Sequence, residues 1–274
     1  MTASLDAHLH AALLDRLAVT VRGLGTKTMM FAHGFGCNQA MWRYVAPAFE
    51  QDFRVVLFDY VGAGRSDLGA YDPEKYASLD GYADDVVELG HALGIRGGTF
   101  VGHSVSGMIG ILAAKRSPEL FEKLVLVSPS PRYINDGDYI GGFTAGQIDE
   151  LLEFLDSNHM GWSQAMAPVI MGNADRPELG DELTNSFCRT DPDIAKRFAR
   201  TTFLSDNRRD LSDIDAHVLI LQCRQDVIAP VEVGEYLRRM ITGSELVILD
   251  ATGHCPNLSA PVETTAAIRA FAFS

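Results

Sequence analysis

Short apolar runs alternate with longer amphipathic segments along most of this chain. Six runs rich in β-branched and aromatic residues predict strands at 27–32, 53–59, 99–101, 123–128, 217–222 and 245–250, of which the first four are expected to be buried. Apolar positions three and four residues apart predict helices at 38–49, 79–93, 108–115, 231–240 and 264–271. This rhythm of strand and helix predicts a mostly parallel sheet with right-handed crossovers. At the start of the chain, 17–21 alternates as an outer strand would, and 5–14 is either a short helix or an unstructured tail.

The rhythm breaks between 133 and 211, where no run predicts a strand. Thr144 and Gln147 have the spacing of a capping box that opens a helix, and further helices are predicted at 161–170, 178–187 and 192–203. We therefore predict an α/β core made of residues 1–132 and 212–274, with residues 133–211 as an all-helical lid. A plain packing extension is the alternative interpretation of the insertion.

Charge and cysteine content narrow the function classes. The formal net charge of the 274 residues is −13, which argues against nucleic acid and anionic membranes as partners. The four cysteines (Cys37, Cys188, Cys223 and Cys255) are scattered, so neither a zinc site nor a disulfide framework is indicated. The sequence shows neither a secretory signal nor an apolar run of about 20 residues, so we expect a cytoplasmic protein.

The segment 98–107 has the pattern of a nucleophile elbow. A buried strand leads to Gly102, His103 and Ser104, and an apolar helix follows. Small residues are needed two positions before and after the nucleophile, because the turn is tight. Gly102 meets this need, and Ser106 stands where glycine is usual, so the motif is G-x-S-x-S. The alternative is an ordinary strand-to-helix junction with Ser104 as the helix N-cap.

A serine nucleophile needs a base, and the base needs an acid to orient it. On sheets of this type the chain order is serine, acid, histidine. Asp226 and His254 follow two successive predicted strands in that order, and we interpret Ser104, Asp226 and His254 as a catalytic triad. Asp250 is a rival acid, ranked lower because it lies four residues before His254 on the same loop.

Backbone N–H groups are expected to hold the oxyanion of the tetrahedral intermediate. The predicted donors are the N–H of Val105, directly after the nucleophile, and that of Phe35 in the glycine-bearing loop 33–36. This chemistry requires no metal and no organic cofactor.

Together these motifs resemble the RsbQ-like branch of the α/β-hydrolases, which includes a bacterial stress-response regulator and plant karrikin and strigolactone receptors. The stretches that carry the resemblance are 33–37, 58–64, 79–82, 102–106, 130–133 with Asn135 and Asp136, 141–143, Asp226 with Pro230, and 253–256. The resemblance implies a serine triad, a V-shaped helical lid and a small apolar pocket. It also implies the pocket residues Phe35, Tyr133, Phe143, Trp162, Met166 and Phe203, for which simple packing of the lid is the alternative.

The expected function is therefore slow hydrolysis of a small apolar ester or lactone. The alternative is a ligand sensor that acts through a protein partner, which for the bacterial regulator is a phosphatase carrying a PAS domain. A dehalogenase is disfavoured because its nucleophile would be a carboxylate.

Overall fold

The computed structural model describes residues 10–274, which form a seven-stranded sheet flanked by helices. The strand order is β1-β3-β2-β4-β5-β6-β7, and only β1 runs antiparallel to its neighbour. The mostly parallel sheet predicted from the sequence is therefore confirmed. The strands are β1 Thr20–Arg22, β2 Thr28–Ala32, β3 Arg54–Leu57, β4 Gly98–His103, β5 Phe121–Val127, β6 His217–Gln225 and β7 Glu245–Thr252.

Ten α-helices accompany the sheet in the described part of the chain, besides short 3₁₀ helices. The first, α1, is described at residues 10–16, so the helix predicted at 5–14 lies partly outside the described residues. The others are α2 Leu79–Ala92, α3 Val105–Arg116, α4 Ala145–Ser157, α5 His159–Met171, α6 Pro177–Arg189, α7 Pro192–Phe203, α8 Val231–Met240, α9 Pro256–Ser259 and α10 Pro261–Ala272.

Alternating side chains of the central strands supply two separate cores, one on each face of the sheet. In β2, Met29 and Phe31 belong to one core, whereas Met30 and Ala32 belong to the other. All four are fully buried, which is why the strand reads as a continuous apolar run. The parallel strands direct their carboxyl ends to one edge, where ligands bind in sheets of this kind.

Two predicted elements near the start of the sheet differ from the structure. The helix expected at 38–49 is two short 3₁₀ helices, Gln39–Trp42 and Ala46–Phe49. Pro47 is the second residue of the second of these helices, and it has no N–H with which to bond back to Arg43 and continue an α-helix. The outer strand expected at 17–21 begins only at Thr20, because residues 10–16 are helical.

Helices α4 to α7 lie between β5 and β6 and form the segment that we call the helical insertion (residues 133–211). Thr144 and Gln147 make both hydrogen bonds of the predicted capping box at the start of α4. Within the insertion the only β contacts are two isolated bridges, Ile134 with Phe143 and Asp136 with Tyr139. Across residues 10–274, no helix is both long and apolar enough to span a bilayer.

Candidate active site

The turn between β4 and α3 places Ser104 in a strained backbone conformation. Its φ is 57° and its ψ is −122°, a region that L-residues rarely adopt. The Ser104 N–H donates to the carbonyl of Val127 at 2.8 Å, which anchors the turn to β5. A Cβ at Gly102 would lie 2.5 Å from the carbonyl oxygen of Ser106, so glycine is required there.

Ser106 occupies the usual glycine position without disturbing the turn, because its hydroxyl has partners. Ser106 Oγ donates to the carbonyl of His33 at 2.5 Å and lies 2.9 Å from the hydroxyl of Tyr60. The serine therefore ties the elbow to the loop that follows β2.

The structure brings Ser104, His254 and Asp226 into one chain of hydrogen bonds. His254 Nε2 lies 2.7 Å from Ser104 Oγ, and His254 Nδ1 lies 2.7 Å from Asp226 Oδ2. The side chains of His254 and Asp226 are 6% and 0% exposed. A carboxylate accepts, so Nδ1 carries the proton and Nε2 is free to accept from the serine hydroxyl.

The turn after β6 orients the Asp226 carboxylate. Asp226 Oδ1 accepts the N–H groups of Ile228 at 2.8 Å and Ala229 at 3.2 Å, which leaves Oδ2 for the imidazole. The rival acid, Asp250, is 84% exposed at its side chain and pairs with Arg224 at 3.0 Å. It makes no hydrogen bond to His254 within the described residues, so the structure favours Asp226.

His103 and His33 make hydrogen bonds to the loops around these groups. Burial and the neighbouring imidazole of His254 lower the pKa of His103 to about 3, so its ring is neutral. His103 Nε2 donates to the carbonyl of His254 at 2.7 Å and fixes that loop. Burial lowers the pKa of His33 as well, and its Nε2 accepts the N–H of Tyr60 at 3.1 Å.

The predicted oxyanion donors lie on the two segments that meet at the serine. A Cβ at Gly34 would be 3.3 Å from Ser104 Cβ, so the loop after β2 approaches the nucleophile closely. Val105 opens α3, where the first N–H groups lack a helical acceptor. Among residues 10–274, neither the N–H of Val105 nor that of Phe35 makes a hydrogen bond to the backbone.

A small, mostly apolar cavity of about 30 Å³ lies beside Ser104 and His254. At this size it holds only one or two waters. The remaining lining residues are Phe35, Cys37, His103, Tyr133, Ile170, Leu183, Phe187, Thr202, Phe203, Ile228 and Cys255.

Three of the six predicted pocket residues, Phe35, Tyr133 and Phe203, line this cavity. Phe143, Trp162 and Met166 do not. Trp162 packs behind Phe35, with ring centroids 6.0 Å apart, and is 1% exposed. The binding role of these three side chains stays a prediction.

Several lining residues were not singled out in the sequence. Leu183, Phe187 and Thr202 come from helices of the insertion, whose apolar faces were visible, but the sequence gives no signal for the tilt of each helix. Burial raises the pKa of the Cys37 thiol to about 12 and that of Cys255 well above its usual value. Both thiols are therefore protonated, and neither competes with Ser104 as the nucleophile. No cluster of possible metal ligands occurs in the described part of the chain.

Comparisons with known proteins identify the family of this chain. A family model described as the alpha/beta hydrolase family matches residues 29–268. The chain is 40% identical over 258 residues to a strigolactone esterase from Arabidopsis thaliana, covering 94% of this chain and 96% of the relative. It is 38% identical over 249 residues to a karrikin insensitive 2 receptor from Petunia hybrida, covering 90% and 91% of the two chains. A hydrolase structure from Oleispira antarctica has a TM-score of 0.93 at 40% identity and covers 96% of each chain.

Proposed function

Because this chain belongs to the α/β-hydrolase family, we propose that it cleaves a small apolar ester or lactone through a triad of Ser104, His254 and Asp226. The observation that carries the proposal is the buried chain of two 2.7 Å hydrogen bonds that runs from Asp226 through His254 to Ser104. It ends at an apolar cavity, which suits an uncharged substrate.

The proposed mechanism assigns a defined chemical role to each residue of the triad. Ser104 Oγ attacks the carbonyl carbon while His254 Nε2 takes the hydroxyl proton, and the Asp226 carboxylate stabilises the imidazolium. The N–H groups of Phe35 and Val105 bind the oxyanion. His254 then returns the proton to the leaving oxygen, and a water activated by the same imidazole releases the acyl group. With a lactone, the leaving hydroxyl stays attached to the acyl chain.

The helical insertion acts as a lid in this proposal. Its residues Phe187, Thr202 and Phe203 wall the cavity above Ser104. A cavity of about 30 Å³ is too small for an ester substrate, so these walls must move for binding. Tyr133 and Phe35 form the part of the wall next to the reacting groups, and Phe143, Trp162 and Met166 are proposed to contact the substrate once the walls have moved.

The test of the mechanism is Ser104→Ala. With short-chain p-nitrophenyl esters, we expect kcat to fall by about 10⁶-fold, as for loss of a triad nucleophile. The thermal unfolding midpoint should not fall, since the strained serine makes no other structural bond through its side chain. Ser157→Ala, at the exposed end of α4, is the matched control and should keep full activity. Retained turnover in Ser104→Ala would refute the mechanism.

A second candidate function is ligand sensing through a protein partner. The named receptors among the relatives support it, as do the cavity walls that the helical insertion supplies. A PAS-domain phosphatase as the partner stays a prediction from resemblance. The cytoplasmic location of the protein also stays a prediction.

Butenolides should raise the unfolding midpoint if the chain is a sensor, because a ligand that binds only the folded state stabilises it. A partner should then be recovered with the ligand and not without it. Fast turnover of common esters, together with recovery of a partner that does not depend on the ligand, would favour the hydrolase function without sensing.

A further inference from the structure

One polar side chain in the cavity wall has no explanation in the fold. Thr202, near the end of α7, is 0% exposed and lines the cavity. Its Oγ1 is fully buried and has no hydrogen-bond partner among the described residues. Of the side chains that insertion helices contribute to the cavity, it is the only one that is polar.

Threonines elsewhere in helices of this chain do satisfy their hydroxyls. Thr184 Oγ1 donates to the carbonyl of Gly180 and Thr264 Oγ1 to that of Ala260, each at 2.9 Å. Such bonds to the carbonyl four residues earlier are the ordinary local solution. Thr202 does not use it, although α7 offers the carbonyl of Phe198 in the same position.

An unsatisfied buried hydroxyl lowers the stability of the folded state. Valine has nearly the same shape as threonine and would fill the site without that cost. The threonine is therefore best explained by a hydrogen bond from its hydroxyl to an oxygen atom inside the cavity. Two other unpartnered atoms at the cavity, Tyr133 OH and His103 Nδ1, belong to residues beside the reacting groups.

We infer that Thr202 is a specificity-determining residue whose hydroxyl donates to a substrate oxygen other than the one in the oxyanion hole. The preferred substrate is then a small ester or lactone that carries an additional ether or carbonyl oxygen. This inference rests on the proposed function, because it assumes that the substrate binds beside Ser104. A site built to bond an oxygen discriminates against the analogue that lacks it.

Isosteric substrates and Thr202→Val test the inference. The probes are p-nitrophenyl pentanoate and the two esters in which one acyl methylene is replaced by an ether oxygen, at successive positions. In Thr202→Val, KM for at least one ether-containing ester should rise about three- to tenfold relative to pentanoate, the range of one lost hydrogen bond, with kcat unchanged. The unfolding midpoint should stay the same or rise.

Two variants serve as controls. Thr201→Val removes the neighbouring hydroxyl, which donates to the carbonyl of Tyr76 at 3.2 Å. It should lower the unfolding midpoint and leave the substrate preference unchanged. Thr202→Ser keeps the hydroxyl and should keep the preference for the ether-containing ester.

Binding measurements separate this inference from the proposed mechanism. Calorimetric titration of the same esters into Ser104→Ala, with and without Thr202→Val, reports discrimination without turnover. Retained turnover in Ser104→Ala would count against the triad and not against Thr202. An unchanged ratio of affinities, a lower midpoint in Thr202→Val, or no binding of any ester would overturn the role of Thr202.

Discussion

The choice between Asp226 and Asp250 as the proposed triad carboxylate shows how much the role of a residue depends on its surroundings. Asp226 directly follows β6, whereas Asp250, predicted on the loop of His254, lies near the end of β7. The structure separates them: Asp226 is buried and held by two N–H groups of its own turn, whereas Asp250 faces solvent beside Arg224. Only a fixed carboxylate can hold the imidazole in one tautomer and orientation.

Asp226→Asn should therefore abolish most of the activity. The amide cannot balance the imidazolium and favours the wrong tautomer of His254, so we expect kcat to fall by about 10⁴-fold. Asp250→Asn is the matched control and should leave kcat unchanged, because that carboxylate touches only an exposed arginine. Ester hydrolysis by both variants checks this, and equal losses would show that the acid has been misassigned.

The sequence selected three side chains that the structure joins by hydrogen bonds, but it identified only some of the cavity walls around them. Chain order, strand ends and residue type sufficed to select Ser104, Asp226 and His254, because the parallel sheet brings all its carboxyl ends together. The bonds of Ser106 to His33 and Tyr60 could not be predicted, since they join side chains and loops distant in sequence. Thr202 was missed because a buried hydroxyl without a partner leaves no pattern in the sequence.

At the scale of elements, continuous apolar runs were a reliable guide to the strands, whereas apolar spacing did not predict the type of helix. The buried strands were predicted to within a few residues because both faces of the sheet are covered. The segment 38–49 had the right apolar spacing for a helix, but it forms two 3₁₀ helices, and Pro47 in the second cannot donate the backbone bond of a continuous α-helix. That irregular segment follows directly on the loop that carries Phe35, the proposed oxyanion donor.

The loop after β2 is packed so closely that one methyl group should impair it. A Cβ at Gly34 would lie 2.4 Å from His103 Nδ1 and 3.3 Å from Ser104 Cβ. Gly34→Ala should therefore displace the Phe35 N–H and lower kcat by about 100- to 1,000-fold, the usual cost of one oxyanion donor.

Gly146→Ala is the control for this substitution, because a Cβ there meets nothing within 4 Å. It should keep full activity and slightly stabilise the first turn of α4. The measurements are kcat for a short-chain ester and the unfolding midpoint. Normal kcat in Gly34→Ala would remove the loop from the proposed oxyanion hole.

At the scale of the whole molecule, an aromatic cluster joins the helical insertion to the core. Phe35, from the loop after β2, contacts four rings of the insertion with centroids 5.7 to 6.1 Å apart: Trp162, Phe187, Phe198 and Phe203. Aromatic contacts of this kind add to the free energy of burial. The residue whose N–H is proposed to bind the oxyanion therefore also packs against the insertion beside the cavity.

This arrangement predicts that trimming the cluster widens the substrate range while weakening the fold. Phe187 lines the cavity and packs on Gly36, where a Cβ would lie 2.3 Å from its ring. Phe187→Ala should lower the free energy of unfolding by about 3–5 kcal/mol. The space created beside Ser104 should raise kcat/KM for hexanoate relative to acetate esters by about tenfold or more.

Phe154→Ala on the outer face of α4 separates the two effects, because that ring is 39% exposed. It should leave the chain-length profile unchanged. It should change the free energy of unfolding by no more than about 1 kcal/mol. Urea unfolding and a series of p-nitrophenyl esters of increasing length measure both quantities. If Phe187→Ala kept the wild-type chain-length profile, the wall of the cavity would not be what limits substrate size. The limit on substrate size would then be set by movement of the whole insertion away from the core. The contacts of Phe35 with its other three aromatic partners would still control that movement.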